Sequence, residues 1–155
     1  DDIDTDQIVP GRYSPYMLGE EELPQYAFVE YRPEFAQEVK PGDIIVAGRN
    51  FGCGSSREYA PLALKKCGIA AIVARSFARI FFRNAINLGI PLFEDNQAVD
   101  QLADGDQVEV DVRQGHIRSQ GGIIHLRQPP PFVQDILAAG TIADYIRQHG
   151  KFPGE

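Results

Sequence analysis

Two apolar runs, Ile44-Ile45-Val46-Ala47 and Ile69-Ala70-Ala71-Ile72-Val73-Ala74, interrupt an otherwise mixed pattern and read as buried strands. Between them, Ser55 or Ser56 is placed to cap a helix running to about Cys67, with Glu58 closing a capping box on Ser55 and Gly68 as the stop. After the second run, Ser76 is placed to cap a further helix through about Asn87, ended by Gly89 and Pro91. Strand, helix, strand, helix over residues 44–88 implies parallel strands with covering helices.

Either side of this block the texture differs. Residues 10–33 are rich in Pro, Gly, Tyr and Glu and show no period, so a long loop with one short helical turn is expected. A short helix over 34–39 and a Pro41-Gly42-Asp43 turn lead into the first strand. Downstream, Val108-Glu109-Val110-Asp111-Val112 alternates as a half-exposed strand should, and Gly115 and Gly121-Gly122 bound short strands up to Leu126. Prolines 129–131 precede a helical tail, Phe132 to Ala139 and Thr141 to His149. The expectation is one mixed α/β domain over 1–155 with an antiparallel section near its C-terminal end.

Composition narrows the classes of function. At 155 residues, with 43% apolar and 24% charged residues, the chain can bury a real core as one domain. A net charge of −7 argues against nucleic acid as the main partner. No apolar run approaches membrane-spanning length and no signal-peptide pattern opens the chain. Two cysteines, Cys53 and Cys67, are not a disulfide framework and point to a reduced, cytoplasmic protein. Two thiols also fall short of the three or four that an iron–sulfur cluster normally takes from one chain. His116, His125 and His149 lack close metal-ligand spacing, so no metal site is expected.

The densest chemistry lies at 48–58, Gly-Arg-Asn-Phe-Gly-Cys-Gly-Ser-Ser-Arg-Glu. Glycines after a strand and before a helix start expose N–H groups where a carboxylate or phosphate can bind, with two hydroxyls and Arg57 beside it. The same glycines would equally permit a plain tight turn. The third glycine of a dinucleotide fingerprint is missing, and no Lys stands in a P-loop frame. A serine hydrolase would need a histidine base, which no motif supplies. A serine beside an arginine suits a polycarboxylate whose α-proton must be removed, provided nearby cations and N–H groups stabilise the ionised Ser55. Asp4-Thr5-Asp6 is a second polar group, open to metal binding, to orienting a partner histidine, or to an Asx-type turn that satisfies its own backbone; the turn ranks first. Arg75, Arg79 and Arg83, four apart, would share one face as an acid clamp or, more commonly, a solvated surface.

Three segments together carry a resemblance: Asp-Thr-Asp-Gln-Ile-Val-Pro at 4–10, the glycine segment at 48–58, and Ser-Phe-Ala-Arg-Ile-Phe-Phe-Arg-Asn-Ala-Ile-Asn at 76–87. In that order and spacing they resemble the small subunit of 3-isopropylmalate dehydratases, the swivelling domain of aconitase-type hydro-lyases, over roughly residues 1 to 94. The resemblance implies a swivelling β/β/α domain, a mixed sheet with a parallel core and covering helices. It implies a separate large subunit, in a heterodimer or heterotetramer, that holds a [4Fe–4S] cluster, with none bound by this chain. The implied reaction moves a hydroxyl between adjacent carbons of a small hydroxy-dicarboxylic acid by loss and return of water. Ser55 then takes and returns the carbon-bound proton, Arg57 holds a substrate carboxylate and stabilises the serine oxyanion, and Asp6 supports a histidine relay of the partner. Ser56 supplies a supporting hydrogen bond, and Gly54 lines the substrate.

In such proteins the loop after Ile-Val-Pro helps to read the group that distinguishes substrates. Here it is Gly11-Arg12-Tyr13-Ser14-Pro15-Tyr16-Met17. Tyr-Ser-Pro-Tyr stands at 13–16, where many relatives have Tyr-Leu followed by Arg-Thr or similar residues, and Tyr16 with Met17 offers an apolar wall. Isopropylmalate is therefore preferred, with Arg12, Tyr13 and Tyr16 as substrate-facing residues. Homoaconitase and dimethylmalate-type dehydratase small subunits are the alternatives of the same chemistry, Arg12 being able to reverse the preference. A swivelling domain that only binds a carboxylate or a protein is the non-enzymatic one.

Overall fold

The computed structural model describes residues 1–155, except the side chain of Met17, on which half of the expected apolar wall falls. In chain order the elements are α1 (Thr5–Ile8), 3-10 turns at Gly11–Tyr13 and Glu20–Tyr26 flanking α2 (Pro15–Leu18), then α3 (Phe35–Glu38) and β1 (Ile44–Ala47). They continue as α4 (Tyr59–Lys66), β2 (Ala71–Ala74), α5 (Arg79–Asn87), β3 (Leu92–Glu94) and α6 (Asn96–Gln101). The last are β4 (Glu109–Asp111), β5 (His116–Ser119), β6 (Gly122–His125), α7 (Pro131–Ala139) and α8 (Ile142–His149).

β1, β2 and β3 form a parallel sheet in that order, with Ile45 opposite Ile72 and Val73 opposite Phe93. β4, β5 and β6 form a separate antiparallel sheet, Val110 opposite Ile117 and Ile117 opposite Ile124. The α/β class with a parallel core holds, but the strands divide between two sheets and do not form one mixed sheet. β2 explains the layering, because all four of its residues are buried and successive side chains point to opposite faces. Ile72 and Ala74 pack with Ala63 and Leu64 of α4, Phe81 and Ile86 of α5 and Val133 and Ile136 of α7. Ala71 and Val73 pack on the other side with Ile117, Ile124, Leu126 and Ala98. The molecule is thus three layers, antiparallel sheet, parallel sheet and helices. Each fully buried Leu or Ile contributes about 1.5–3 kcal/mol at this double interface.

Several expected boundaries move. The long segment after Pro10 is not one irregular loop, because two 3-10 turns and α2 are folded into it. α4 starts at Tyr59 with Glu58 in the capping position and no side-chain cap, so neither Ser55 nor Ser56 caps it and no capping box forms. α5 starts at Arg79 without a side-chain cap. Ser76 Oγ accepts instead from Asn50 N–H at 2.8 Å, and the helix entry is anchored by Ala78 N–H donating to Phe51 O at 3.0 Å. Arg75 therefore precedes the helix and pairs with Asp100, leaving only Arg79 and Arg83 on its exposed face. β3 and α6 were not anticipated, although Asp95, which accepts from Ala98 N–H, is an ordinary N-cap signal.

Both cysteines are free thiols. Cys67 is buried at the end of α4, and desolvation pushes its thiol up to about 11. Cys53 is partly exposed, its thiol raised by burial first and then by Asp4 and Asp2. Because the thiolate is the reactive form, alkylation with iodoacetamide near pH 8 should modify Cys53 first and Cys67 only after unfolding, as read by peptide mass spectrometry. Equal rates at the two thiols would mean that α4 opens in the native state. Among the described residues no helix is long and apolar enough to cross a membrane.

Candidate active site

The glycine segment is held as a strand-like ribbon between two others. On one side Asp2 N–H donates to Arg49 O at 2.8 Å, Gly52 N–H to Ile3 O at 2.7 Å, and Thr5 N–H to Cys53 O at 2.8 Å. On the other, Phe51 N–H donates to Ser76 O at 3.1 Å, and Phe51 and Phe77 form a parallel bridge. Three sequence-remote segments, 2–5, 49–53 and 75–78, thereby extend the parallel sheet beyond the C-terminal ends of β1 and β2. Ligands commonly bind at that edge of an open α/β sheet.

Asp4-Thr5-Asp6 is not an Asx turn but the first turn of a short helix. Asp4 accepts from Gln7 N–H at 2.7 Å while Gln7 Oε1 accepts from Asp4 N–H at 2.9 Å, a reciprocal capping box. With Asp4 committed to the cap, Asp6 is turned to Arg57. Arg57 Nη1 donates to Asp6 Oδ1 at 2.9 Å, and the same oxygen accepts from Gly11 N–H at 3.0 Å. The Gly11 N–H foremost, then Arg57, holds the Asp6 carboxyl below the usual aspartate range. The pair therefore persists at neutral pH and is lost only as pH falls below that range. Being largely exposed, it serves orientation more than stability.

Arg57 is half-buried, its guanidinium 5.9 Å from the Tyr59 ring centroid. A Cβ at Gly11 would stand 3.0 Å from Arg57 Nη1, so the glycine admits the guanidinium against the backbone. Ser55 and Ser56 are exposed. Ser55 Oγ lies 3.1 Å from Thr5 Oγ1, and among the described residues no hydrogen bond engages the backbone N–H groups of Ser55, Ser56, Arg57 or Glu58. Gly54 is exposed beside them, over Thr5. The result is an open surface with a hydroxyl, a cation and several N–H donors, suited to a carboxylate and to a stabilised oxyanion.

The loop residues are placed differently. Arg12 pairs with Glu30 and lies 4.9 Å from the Tyr13 ring centroid, and Tyr13 stacks on Tyr26 at 4.3 Å. Tyr16 is 94% exposed, so it forms no wall within this chain. The structure joins Arg57 to Asp6 and Ser55 to Thr5, the residue before Asp6, and adds Thr5 and Gly11, whose roles depend on partners about 50 residues away and leave no local signal. It also sets His116 directly across from His125, ring centroids 6.1 Å apart, which spacing along the chain conceals. Among the described residues no group of three His, Cys, Asp or Glu side chains is arranged to hold a metal ion, and Cys53 and Cys67 sit in separate environments. These residues do not fit an iron–sulfur cluster held by this chain alone.

A three-layer β/β/α domain with a serine, an arginine and an aspartate at the open end of its parallel sheet is the architecture of a swivelling domain. The chain belongs to the aconitase C-terminal domain family, whose pattern matches residues 6–97. It is 56% identical over 155 residues to a homoaconitase small subunit of Thermus thermophilus, covering 100% of this chain and 95% of that one. It is 49% identical to a 3-isopropylmalate dehydratase small subunit of Deinococcus radiodurans, covering 100% of this chain and 87% of the relative. A crystal structure of a 3-isopropylmalate dehydratase chain from Methanocaldococcus jannaschii superposes with a TM-score of 0.85 at 44% identity, covering 97% and 89% of the two chains.

Proposed function

We propose that this chain is the small subunit of an aconitase-type hydro-lyase that interconverts 2-isopropylmalate and 3-isopropylmalate in leucine biosynthesis, a cytoplasmic enzyme active only with a large subunit. The observation that carries it is the open Ser55–Arg57–Asp6 surface in a chain 45–50% identical to four small subunits named 3-isopropylmalate dehydratase. Ser55 Oγ takes the proton from the carbon next to the substrate carboxylate and later returns it to the neighbouring carbon. Arg57, with Nη1 on Asp6, offers its other donors to that carboxylate and lowers the cost of ionising Ser55. Asp6 holds Arg57 through Oδ1 and presents Oδ2 to a histidine of the large subunit. Ser56 and the N–H groups around Gly54 complete the anion cradle. Electrophilic help at the departing hydroxyl belongs, in this scheme, to a [4Fe–4S] cluster on the large subunit, in a heterodimer or heterotetramer.

A homoaconitase-type substrate is the second reading, favoured by the 56% identical relative. Arg12 decides between them. Its commitment to Glu30 and Tyr13 leaves an alkyl group unopposed, yet an ion pair between half-exposed side chains is worth only about 0–1 kcal/mol, so a third carboxylate could draw it away. Tyr13 and Tyr16 meet the distal substituent when the large subunit closes over this loop.

The test is reconstitution with the cluster-loaded large subunit under anaerobic conditions and assay of isopropylmalate, homoaconitate and dimethylmalate. Expected is a kcat/KM for isopropylmalate at least about tenfold above the others, the discrimination that about 1.4 kcal/mol supplies. A preference for homoaconitate would move the assignment to the second reading. Assembly without turnover of any of them would leave a carboxylate- or protein-binding domain.

A further inference from the structure

We infer that the Thr5 hydroxyl is a positioning group for Ser55, which holds the serine's rotamer and switches its own hydrogen bond when Ser55 ionises; this rests on Ser55 being the base. Thr5 is 2% exposed, the one buried polar side chain among the described residues, and its Oγ1 lies 3.1 Å from Ser55 Oγ and 3.2 Å from Ser55 O. A hydroxyl has one proton and two lone pairs, so it cannot donate to both oxygens at once. With Ser55 neutral, Thr5 donates to the Ser55 carbonyl and accepts from the Ser55 hydroxyl. With Ser55 ionised, the Thr5 hydroxyl turns to donate to the oxyanion, a charge-assisted bond about twice as strong as a neutral one. Only a hydrogen moves in this change.

The heavy atoms are well held for such a role. Thr5 N–H is bound to Cys53 O at 2.8 Å, and the β-branch restricts the rotamer that aims Oγ1. A Cβ at Gly54 would lie 3.4 Å from Thr5 Oγ1, so the serine's own loop passes over the hydroxyl at ordinary contact distance. In the reaction the carbon-bound proton goes to Ser55 Oγ, and the carbon's electron pair forms the double bond as the hydroxyl departs. Thr5 keeps its proton throughout and turns back to the Ser55 carbonyl.

Thr5→Val, Thr5→Ala and Thr5→Ser would be compared in the assembled two-subunit enzyme, with Ser55→Ala alongside. Without the hydroxyl the Ser55 oxyanion is less stable, so the ascending limb of the kcat–pH profile should move up by about half to one unit. kcat should fall about 10–50-fold with KM within about twofold, and Thr5→Ser should restore both. An unchanged limb and kcat in Thr5→Val, with Ser55→Ala inactive, would overturn the inference while leaving Ser55 as the base. Equal losses in Thr5→Ser and Thr5→Ala would reduce Thr5 to packing. If Thr5→Val fails to assemble, that Ala–Ser pair still isolates the hydroxyl. Full turnover in Ser55→Ala would remove the underlying assignment itself.

Discussion

Ser55→Ala is expected to lower kcat by about 10²–10⁴-fold in the assembled enzyme while leaving the fold and the complex intact. The separation follows from where the hydroxyl sits. Among the described residues, Ser55 is exposed, packs into neither core cluster, and bonds through its Oγ only to Thr5. Thr5 Oγ1 keeps the Ser55 carbonyl as a partner after the substitution, so no buried polar group is orphaned. The stability change should therefore stay under about 1 kcal/mol. Thermal melting and gel filtration with the large subunit would verify that the protein is otherwise unaltered. Wild-type turnover in that variant would exclude Ser55 as the proton carrier and shift attention to groups of the other subunit.

Gly52→Ala should act in the opposite sense, on the fold first. Gly52 is buried with φ +83°, a conformation that costs an L-residue roughly 1–2 kcal/mol. A Cβ there would stand 2.2 Å from Phe81 Cγ and 2.5 Å from Phe81 Cβ, inside the cluster of Phe51, Phe77 and Phe81. Phe81 is 2% exposed and the atoms met are at the root of its side chain, not its far end, which adds about 1–3 kcal/mol of overpacking. A total of about 2–5 kcal/mol corresponds to a fall in Tm of roughly 5–20 °C for a chain of this size. Activity should fall with it, because Gly52 N–H ties the segment to Ile3 and so holds Thr5 beneath Ser55. A melting temperature within about 2 °C of the parent would show that α5 has room to recede.

The two substitutions lie three residues apart, yet different kinds of information made them legible. Apolar runs located β1 and β2, and the prolines at 129–131 set off the helical tail, although only β2 is buried on both faces and β1 is partly exposed, with Val46 37% accessible. The glycine segment was located by its extreme composition. Helix entry departs from Ser55, Ser56 and Ser76 because a serine before a helix is an N-cap only if no stronger partner claims it. Ser55 is claimed by Thr5, Ser76 by Asn50, and Ser56 stands too far before α4. β3 was missed because three residues, two of them buried, are too few to display any period.

By itself the sequence determined the α/β class, the strands β1 and β2, the helical tail, and where along the chain the densest group of polar side chains and glycines lies. Local propensity and composition are written in consecutive residues, so such features need no long-range information. Only the tertiary structure decided that Asp6 meets Arg57, that Thr5 lies beneath Ser55, and that Arg12 is held by Glu30. Those contacts join residues 18 to 51 positions apart, and the first two exist because the N-terminal segment is laid alongside the glycine ribbon.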